Sequence, residues 1–313
     1  MGDKSKISWT DATWNPITGC TRVSEGCRHC YAEQLSATRL KESPRYQGLA
    51  IMTPAGPRWT GKIKLHHELL VQPLHWKKPR RIFVNSMSDL FHIEVPWGFI
   101  DQIFAVMAAC PQHTFQILTK RGVGMNLWYE MAERRVRNTV IPGTRGREGT
   151  DGHHVSMPRW PLPNVWLGVS VENQENCGRI SQLLKTAAAV RFVSFEPLLG
   201  PIEMRYRWLP AAGDATGAID WVIVGGESGN AARPFDLAWA ESIRDQCRGR
   251  CAFFFKQAGS RPEITTAAGV APVELKSRSG SDPEEWPDDL RIQEFPRQMA
   301  EVETLGPGAE AHR

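Results

Sequence analysis

Three cysteines stand near the start of the chain: Cys20, then six residues, then Cys27-Arg28-His29-Cys30, with Tyr31 next. Three thiolates are an incomplete coordination set. A structural zinc site takes four protein ligands, and a [4Fe–4S] cluster is ordinarily held by four cysteines. With three, one iron keeps an open position for a small molecule, which is what a catalytic cluster needs. The spacing also admits a zinc site with His29, His66 or His67 as fourth ligand, or thiols that bind no metal. For His29 the plainer reading is a surface residue beside the loop. Cys110, Cys177, Cys247 and Cys251 are scattered. Cys110, in an apolar helical stretch, reads as core. Cys247 and Cys251, four apart, could pair, bind metal or be incidental. Seven cysteines in a chain with no secretory signal do not suggest a disulfide framework.

A metal loop needs a frame, and the chain offers repeated strand–loop–helix units. Apolar runs at 81–85, 114–119, 165–171, 190–195, 221–226 and 252–256 read as strands buried on both faces, as in parallel sheets. Helical patterns lie between several of them, at 96–109, 122–137, 174–185 and 237–248. The strand ends are chemically equipped: Asn85-Ser86-Met87-Ser88-Asp89, Thr119-Lys120, Ser170 with Glu172-Asn173, Ser194 with Glu196, Gly225-Gly226-Glu227-Ser228 and Lys256-Gln257. In parallel α/β folds the site sits at the carboxyl ends of the strands. The expected fold is therefore α/β, a partial (β/α) TIM-like barrel with parallel strands and loop insertions at 41–62, 141–163 and 260–313. Residues 1–260 form the barrel with its N-terminal cysteine loop. Residues 261–313 form a C-terminal extension, partly irregular and frayed at its end.

With 313 residues, 41% hydrophobic and 23% charged, the composition is that of a soluble globular protein, expected to be cytoplasmic. No apolar run approaches the ~20 residues of a membrane span. The net charge of +4 is weak support for a polyanionic partner. Local clusters say more: Lys77-Lys78-Pro79-Arg80-Arg81, Lys120-Arg121, Arg134-Arg135-Val136-Arg137 and Arg145-Gly146-Arg147. Each is either a solvated face or a contact for polyanions. Twelve tryptophans serve either a core or stacking on bases.

Taken together, these residues resemble the radical S-adenosylmethionine superfamily. Trp14-Asn15-Pro16 precedes the first cysteine. Asn85-Ser86-Met87-Ser88-Asp89-Leu90-Phe91-His92, Leu167-Gly168-Val169-Ser170-Val171-Glu172-Asn173, Ser194-Phe195-Glu196-Pro197-Leu198 and Gly225-Gly226-Glu227-Ser228-Gly229 follow. Across residues 7–260 they make the chain similar to the spore photoproduct lyase-like branch. Within that branch the likeness is to a phage- and prophage-associated three-cysteine family of largely unassigned function. The resemblance implies a [4Fe–4S] cluster on Cys20, Cys27 and Cys30, its unique iron chelated by the amino and carboxylate groups of S-adenosylmethionine. It puts Ser86, Ser88 and Asp89 at the cofactor's amino group and Lys120 at its carboxylate, a charge-assisted contact. Ser170 falls at the ribose or carboxylate, and Tyr31 at the adenine. Reductive cleavage of S-adenosylmethionine and hydrogen abstraction from a substrate are implied, with DNA or another nucleic acid or nucleotide as that substrate. An electron donor is required, and a genomic-neighbour protein is a candidate partner.

Plainer readings stand beside these roles. Ser88-Asp89 could be an N-cap and Lys120-Arg121 a surface charge at a helix start. Glu172, Glu196, Glu227 and Lys256, with Arg233, are candidates for catalysis or substrate contact, or for structural ion pairs. Two features depart from the superfamily pattern. The cysteine spacing is six then two rather than three then two. Photoproduct lyases also carry a hydrogen-donating cysteine just upstream of the Ser-Asp pair, where this chain has Asn85, Ser86 and Met87. A thymine-dimer repair cycle using that thiol is not expected. Gly225-Gly226-Glu227 resembles a cofactor motif but follows a late strand, not the second. The rival from another class is a zinc-stabilised nucleic-acid-binding protein without catalysis.

Overall fold

Seven short strands rich in Val, Ile, Phe and Trp line up side by side in the computed structural model, which describes residues 5–145, 151–154, 157, 159–210 and 217–296. They are β1 (Ala12–Trp14), β2 (Arg81–Val84), β3 (Thr114–Thr119), β4 (Val165–Ser170), β5 (Val190–Phe195), β6 (Trp221–Gly225) and β7 (Ala252–Gln257). Every pairing is parallel, and spatial order equals chain order. A doubly wound sheet reverses its strand order partway. This one never does, so it keeps curling in one direction into a half-barrel, as expected. Register carries one layer across the curve: Leu118 opposite Gly168, Gly168 opposite Phe192, and Phe192 opposite Trp221.

Alternation along each strand sends side chains to two different cores. Phe83, Trp166, Phe192, Trp221, Ile223 and Phe254 point into the half-barrel and close around Trp9. Trp221 meets Trp9, Trp166 and Phe254 edge-on, with centroids 6.2, 5.8 and 5.9 Å apart. This plug fits only because β4 has no side chain at Gly168; a Cβ there would lie 2.5 Å from the Phe192 ring. The opposite faces (Ile82, Val84, Phe115, Ile117, Leu167, Val169, Val193, Val222, Val224) pack under the helices.

Helix α1 (Tyr31–Ala37) packs apart, against the 50–59 segment. The helices over those faces include α2 (Trp97–Ala108), α3 (Gly122–Tyr129), α4 (Ala132–Arg137), α5 (Gly178–Leu183) and α6 (Leu237–Cys247). Pro96 opens α2, where a missing N–H costs nothing. Asp236 caps α6 by accepting the Ala238 N–H at 2.9 Å. The single helix read over 122–137 is broken at Met131, with φ −127°. The break lets Arg135 turn back onto Asp101 at 3.0 Å. Of the stretch 174–185, the first turn, Gln174–Cys177, is 3₁₀ and only then does α5 begin.

Strand β1 had no apolar run to announce it. The insertion at 41–62 holds a hairpin, Ala50–Thr53 with Gly56–Trp59. That at 141–163 contributes to an antiparallel pair, Val140–Arg145 with Asp151–His154. Beyond residue 260, Pro262–Thr266 and Gly269–Pro272 form a hairpin that joins Phe235–Asp236. The chain then returns to β7: Phe255 N–H bonds Ile292 C=O at 2.8 Å, and Trp286 stands edge-on to Phe255. The end read as frayed lies outside the described residues. Among the described residues no helix is long and apolar enough to cross a membrane. Eight tryptophans, among them Trp14, Trp128 and Trp221, are buried, so most of the twelve serve cores.

Candidate functional site

Above the aromatic plug, towards the carboxyl ends of the strands, the inward-facing residues turn polar. Lys120, just past β3, donates from Nζ to Ser170 Oγ on β4 at 2.7 Å. Ser170 Oγ donates in turn to the Glu196 carbonyl at 3.1 Å. The Glu196 carboxylate, past β5, is ion-paired with Lys256 on β7. The tier also contains Ser194, 1% exposed, whose Oγ has no hydrogen-bond partner among the described residues. Asn85, past β2, is 3% exposed with neither end of its amide partnered among the described residues. It also adopts φ 61°, a conformation few side chains but Asn and Asp tolerate.

The segment after β2 is fixed by the segment after β1. Asn15 Oδ1 accepts from Ser86 Oγ and from the Met87 N–H, both at 3.1 Å. Ser88 Oγ donates to the Ile17 carbonyl at 3.0 Å. Tyr31, at the start of α1 with its ring half exposed, donates its hydroxyl to the Ser86 carbonyl at 2.5 Å. Asp89 faces inward to the protein and has both oxygens engaged. Oδ1 accepts from Thr119 Oγ1 at 2.7 Å and the Phe91 N–H at 3.1 Å; Oδ2 accepts from the Lys120 N–H and Arg121, both at 3.1 Å. It therefore welds the end of β2 to the end of β3, as more than an N-cap.

The cysteine loop lies over this tier and is clamped from four sides. Arg121 donates to the Thr21 carbonyl at 2.9 Å and stands 3.6 Å from Cys20 Sγ. Arg22 reaches back to the fully buried Glu33 of α1, 2.9 Å from Nε, and Glu33 also accepts the Trp59 N–H at 2.7 Å. Glu172, past β4 and fully buried, pairs with Arg179 of α5 at 2.7 Å and accepts the Gly26 N–H at 3.3 Å. Glu227, past β6, accepts from His29 Nδ1 at 2.9 Å and is held by Arg233 at 2.7 Å. Arg233 also donates to the Glu25 carbonyl at 3.0 Å. Glycine at 26 keeps this approach close, since a Cβ would lie 3.0 Å from the Glu172 carboxyl carbon and would press on the clamp.

Electrostatics follow from this packing. Burial raises both carboxyl groups of the clamp, yet hydrogen bonds and cations outweigh it. Arg179 and Lys120 help hold Glu172 below its ordinary value, and Arg233 and His29 do so for Glu227. Burial pushes the Cys20 thiol up to about 12, with the Asp89 charge adding to it and Arg121 opposing. Burial raises Cys30 as well, against the backbone N–H groups of Glu33 and Ala32 and the charge of Lys120. Cys30 in turn raises Cys20, and Cys27 raises Cys30, so the three thiols share one field.

All seven cysteines are free. Among the described residues no three His, Cys, Asp or Glu side chains are close enough to hold a single metal ion. The donor chemistry nevertheless fits an iron–sulfur group. Three unpaired thiols share one loop, N–H groups are directed at one sulfur, and a guanidinium and an ammonium stand near to balance thiolate charge. The histidines considered as fourth ligands are engaged: His29 with Glu227, His66 with Thr18 Oγ1 at 2.9 Å, and His67 edge-on to Phe99.

The structure thus gathers Cys20, Cys27, Cys30, Tyr31, Ser86, Ser88, Asp89, Lys120 and Ser170 at one mouth. It divides the four catalytic candidates into two loop clamps, Glu172 and Glu227, and one pair in the tier, Glu196 with Lys256. Sequence reasoning named Asn85 and Ser194 among the equipped strand ends without giving them a role, named Arg121 only as a basic neighbour of Lys120, and passed over Arg22, Glu33 and Arg179 as clamps.

A family model described as "Protein of unknown function (DUF5131)" matches residues 4–289. No curated protein matches the chain. Among solved structures it is similar to a "Spore photoproduct lyase complexed with dinucleoside spore photoproduct", at 13% identity and a TM-score of 0.40, over 98% of this chain and 77% of that one.

Proposed function

The chain belongs to the DUF5131 family, and we propose that it is a radical S-adenosylmethionine enzyme acting on a nucleic acid or nucleotide. The observation that carries this reading is the three-thiol loop clamped over the carboxyl ends of a parallel half-barrel, above a polar tier that contains Lys120. Cys20, Cys27 and Cys30 would hold a [4Fe–4S] cluster, which together with S-adenosylmethionine would supply one-electron reductive chemistry. The chain's own residues orient and enclose. Lys120, aligned by Ser170, is the cation for a ligand carboxylate. Ser86 and Ser88 donate to Asn15 and Ile17 and keep lone pairs free to accept from an ammonium. Asp89 acts indirectly, by fixing Lys120 and Arg121. Tyr31 offers its ring at the loop's edge. The aromatic plug closes the lower end and excludes water. Glu196 and Lys256 form a pair able to hold or pass a proton beside the substrate. The substrate class rests on the superfamily resemblance and the basic clusters.

Anaerobic reconstitution with iron and sulfide tests the reading. The expected product is brown protein with about four irons per chain. Reduced with dithionite, it should convert S-adenosylmethionine to 5′-deoxyadenosine, and Cys27→Ala should abolish that yield. Colourless protein holding one zinc and forming no 5′-deoxyadenosine would replace this reading with the zinc-stabilised binder.

A further inference from the structure

At the wall formed by the β5–β6 crossover and the end of α6, far along the chain from the cysteine loop, Tyr206 is 70% exposed on the short turn Tyr206–Trp208. An exposed aromatic ring on a loose loop means little, but this one is rigidly presented. The Met204 N–H donates to Gln246 Oε1 at 2.7 Å, and Gln246 Nε2 donates to the Ile202 carbonyl at 3.0 Å. Trp208 anchors the turn from below, 2% exposed, with the Ile219 N–H on its carbonyl at 2.9 Å. The Arg250 guanidinium sits 4.6 Å from the Tyr206 centroid, and Arg205 lies 5.4 Å from that of Trp208. A hollow of about 540 Å³ opens here, walled by Gln174, Arg205, Tyr206, Gln246 and Arg250 among others.

The charge favours an anion. Arg205 and Arg207 are exposed and Arg250 half-buried. Of the two acids in the walls, Glu203 and Asp245, the latter is ion-paired with both Arg244 and Arg248, at 3.0 and 2.9 Å. A ring with one face on a cation, a neighbouring stacked arginine and a hollow in the range of small-ligand sites together ask for a planar ligand that carries negative charge.

We propose that this wall is a stacking platform for single-stranded nucleic acid, a base lying on Tyr206 and the flanking phosphates meeting Arg205 and Arg207. Its wall shares no residue with the cysteine-loop site, though Gln174 lies two residues past Glu172, and it does not depend on the chemistry proposed there. It gives the protein a hold on a strand that the site's own chemistry does not supply.

The test is fluorescence anisotropy of the full chain with labelled fifteen-nucleotide oligothymidine and oligouridine strands. Tyr206→Ala should weaken binding roughly five- to hundredfold, as loss of one base–aromatic stack does, and Tyr206→Trp should restore it. Arg207→Ala should lower the salt slope by about 0.7, the loss of one phosphate contact on a single strand. Protein assayed without iron reconstitution should show the same dependence on Tyr206, which separates this platform from the cysteine loop. Because Tyr206 is exposed, Tyr206→Ala should keep the wild-type melting temperature. A preference between the two strands would name DNA or RNA as the natural source. Absence of binding, or binding indifferent to Tyr206→Ala, overturns the proposal.

Discussion

Asn85 holds two costs at one residue. A non-glycine side chain at positive φ gives up of order 1 kcal/mol, and a buried amide without partners gives up about 1–3 kcal/mol more. Such costs persist where a ligand uses them, and this residue stands at the end of β2 in the polar tier. Asn85→Gly removes both, against the extra chain entropy that glycine brings to the unfolded state. The expected outcome is a variant about 1 kcal/mol more stable in urea, whose yield of 5′-deoxyadenosine falls at least tenfold. A less stable variant would mean the amide supports the fold instead. The sequence offered the residue type, since asparagine tolerates this conformation, but not the burial that makes it a site group.

Between elements, the decisive contact is the one from β4 to the cysteine loop. Glu172 is fully buried against Arg179, and removing one partner of such a pair costs about 3–5 kcal/mol because the other charge is left behind. Glu172→Ala should therefore destabilise the chain by that order and halve or worse the iron retained after anaerobic reconstitution. Glu172→Gln, which keeps an acceptor for the Gly26 N–H, should lose less of both. Full iron loading in Glu172→Ala would detach this clamp from the loop's function.

The same contact shows what was legible beforehand. Strands β2 to β7 could be read because parallel strands buried on both faces are nearly unbroken apolar runs, and their polar ends marked the mouth. Strand β1, three residues long, has no run to read. That Glu172 and Glu227 turn to the loop while Glu196 turns to Lys256 depends on curvature and register, which no local pattern encodes. The break at Met131 likewise serves a distant partner, Asp101.

For the molecule as a whole, three buried histidines set the response to acid. His66, His92 and His113 are 6%, 3% and 1% exposed, and burial lowers each below the usual 6.5. Their contacts suit the neutral ring: His92 Nδ1 accepts the Glu94 N–H at 3.2 Å, and His113 lies among Trp76, Phe115 and the Pro73 carbonyl. Above pH 6.5 neither folded nor unfolded chain protonates them, and their share of stability is complete. As the pH falls below 6.5 the unfolded chain takes up protons that the native chain refuses, so stability declines until the folded values are passed. Each histidine contributes a slope of up to about 1.4 kcal/mol per pH unit in that window. Glu172 and Glu227, held below 4.5, add a second loss only as the pH falls through 4.5 towards their folded values. Urea midpoints should thus hold from pH 7.5 to about 6.5 and drop from there to 5.5. His113→Gln should start from lower stability but fall with a shallower slope. A flat profile over that range, or an unaltered slope in His113→Gln, would remove the histidines from this role.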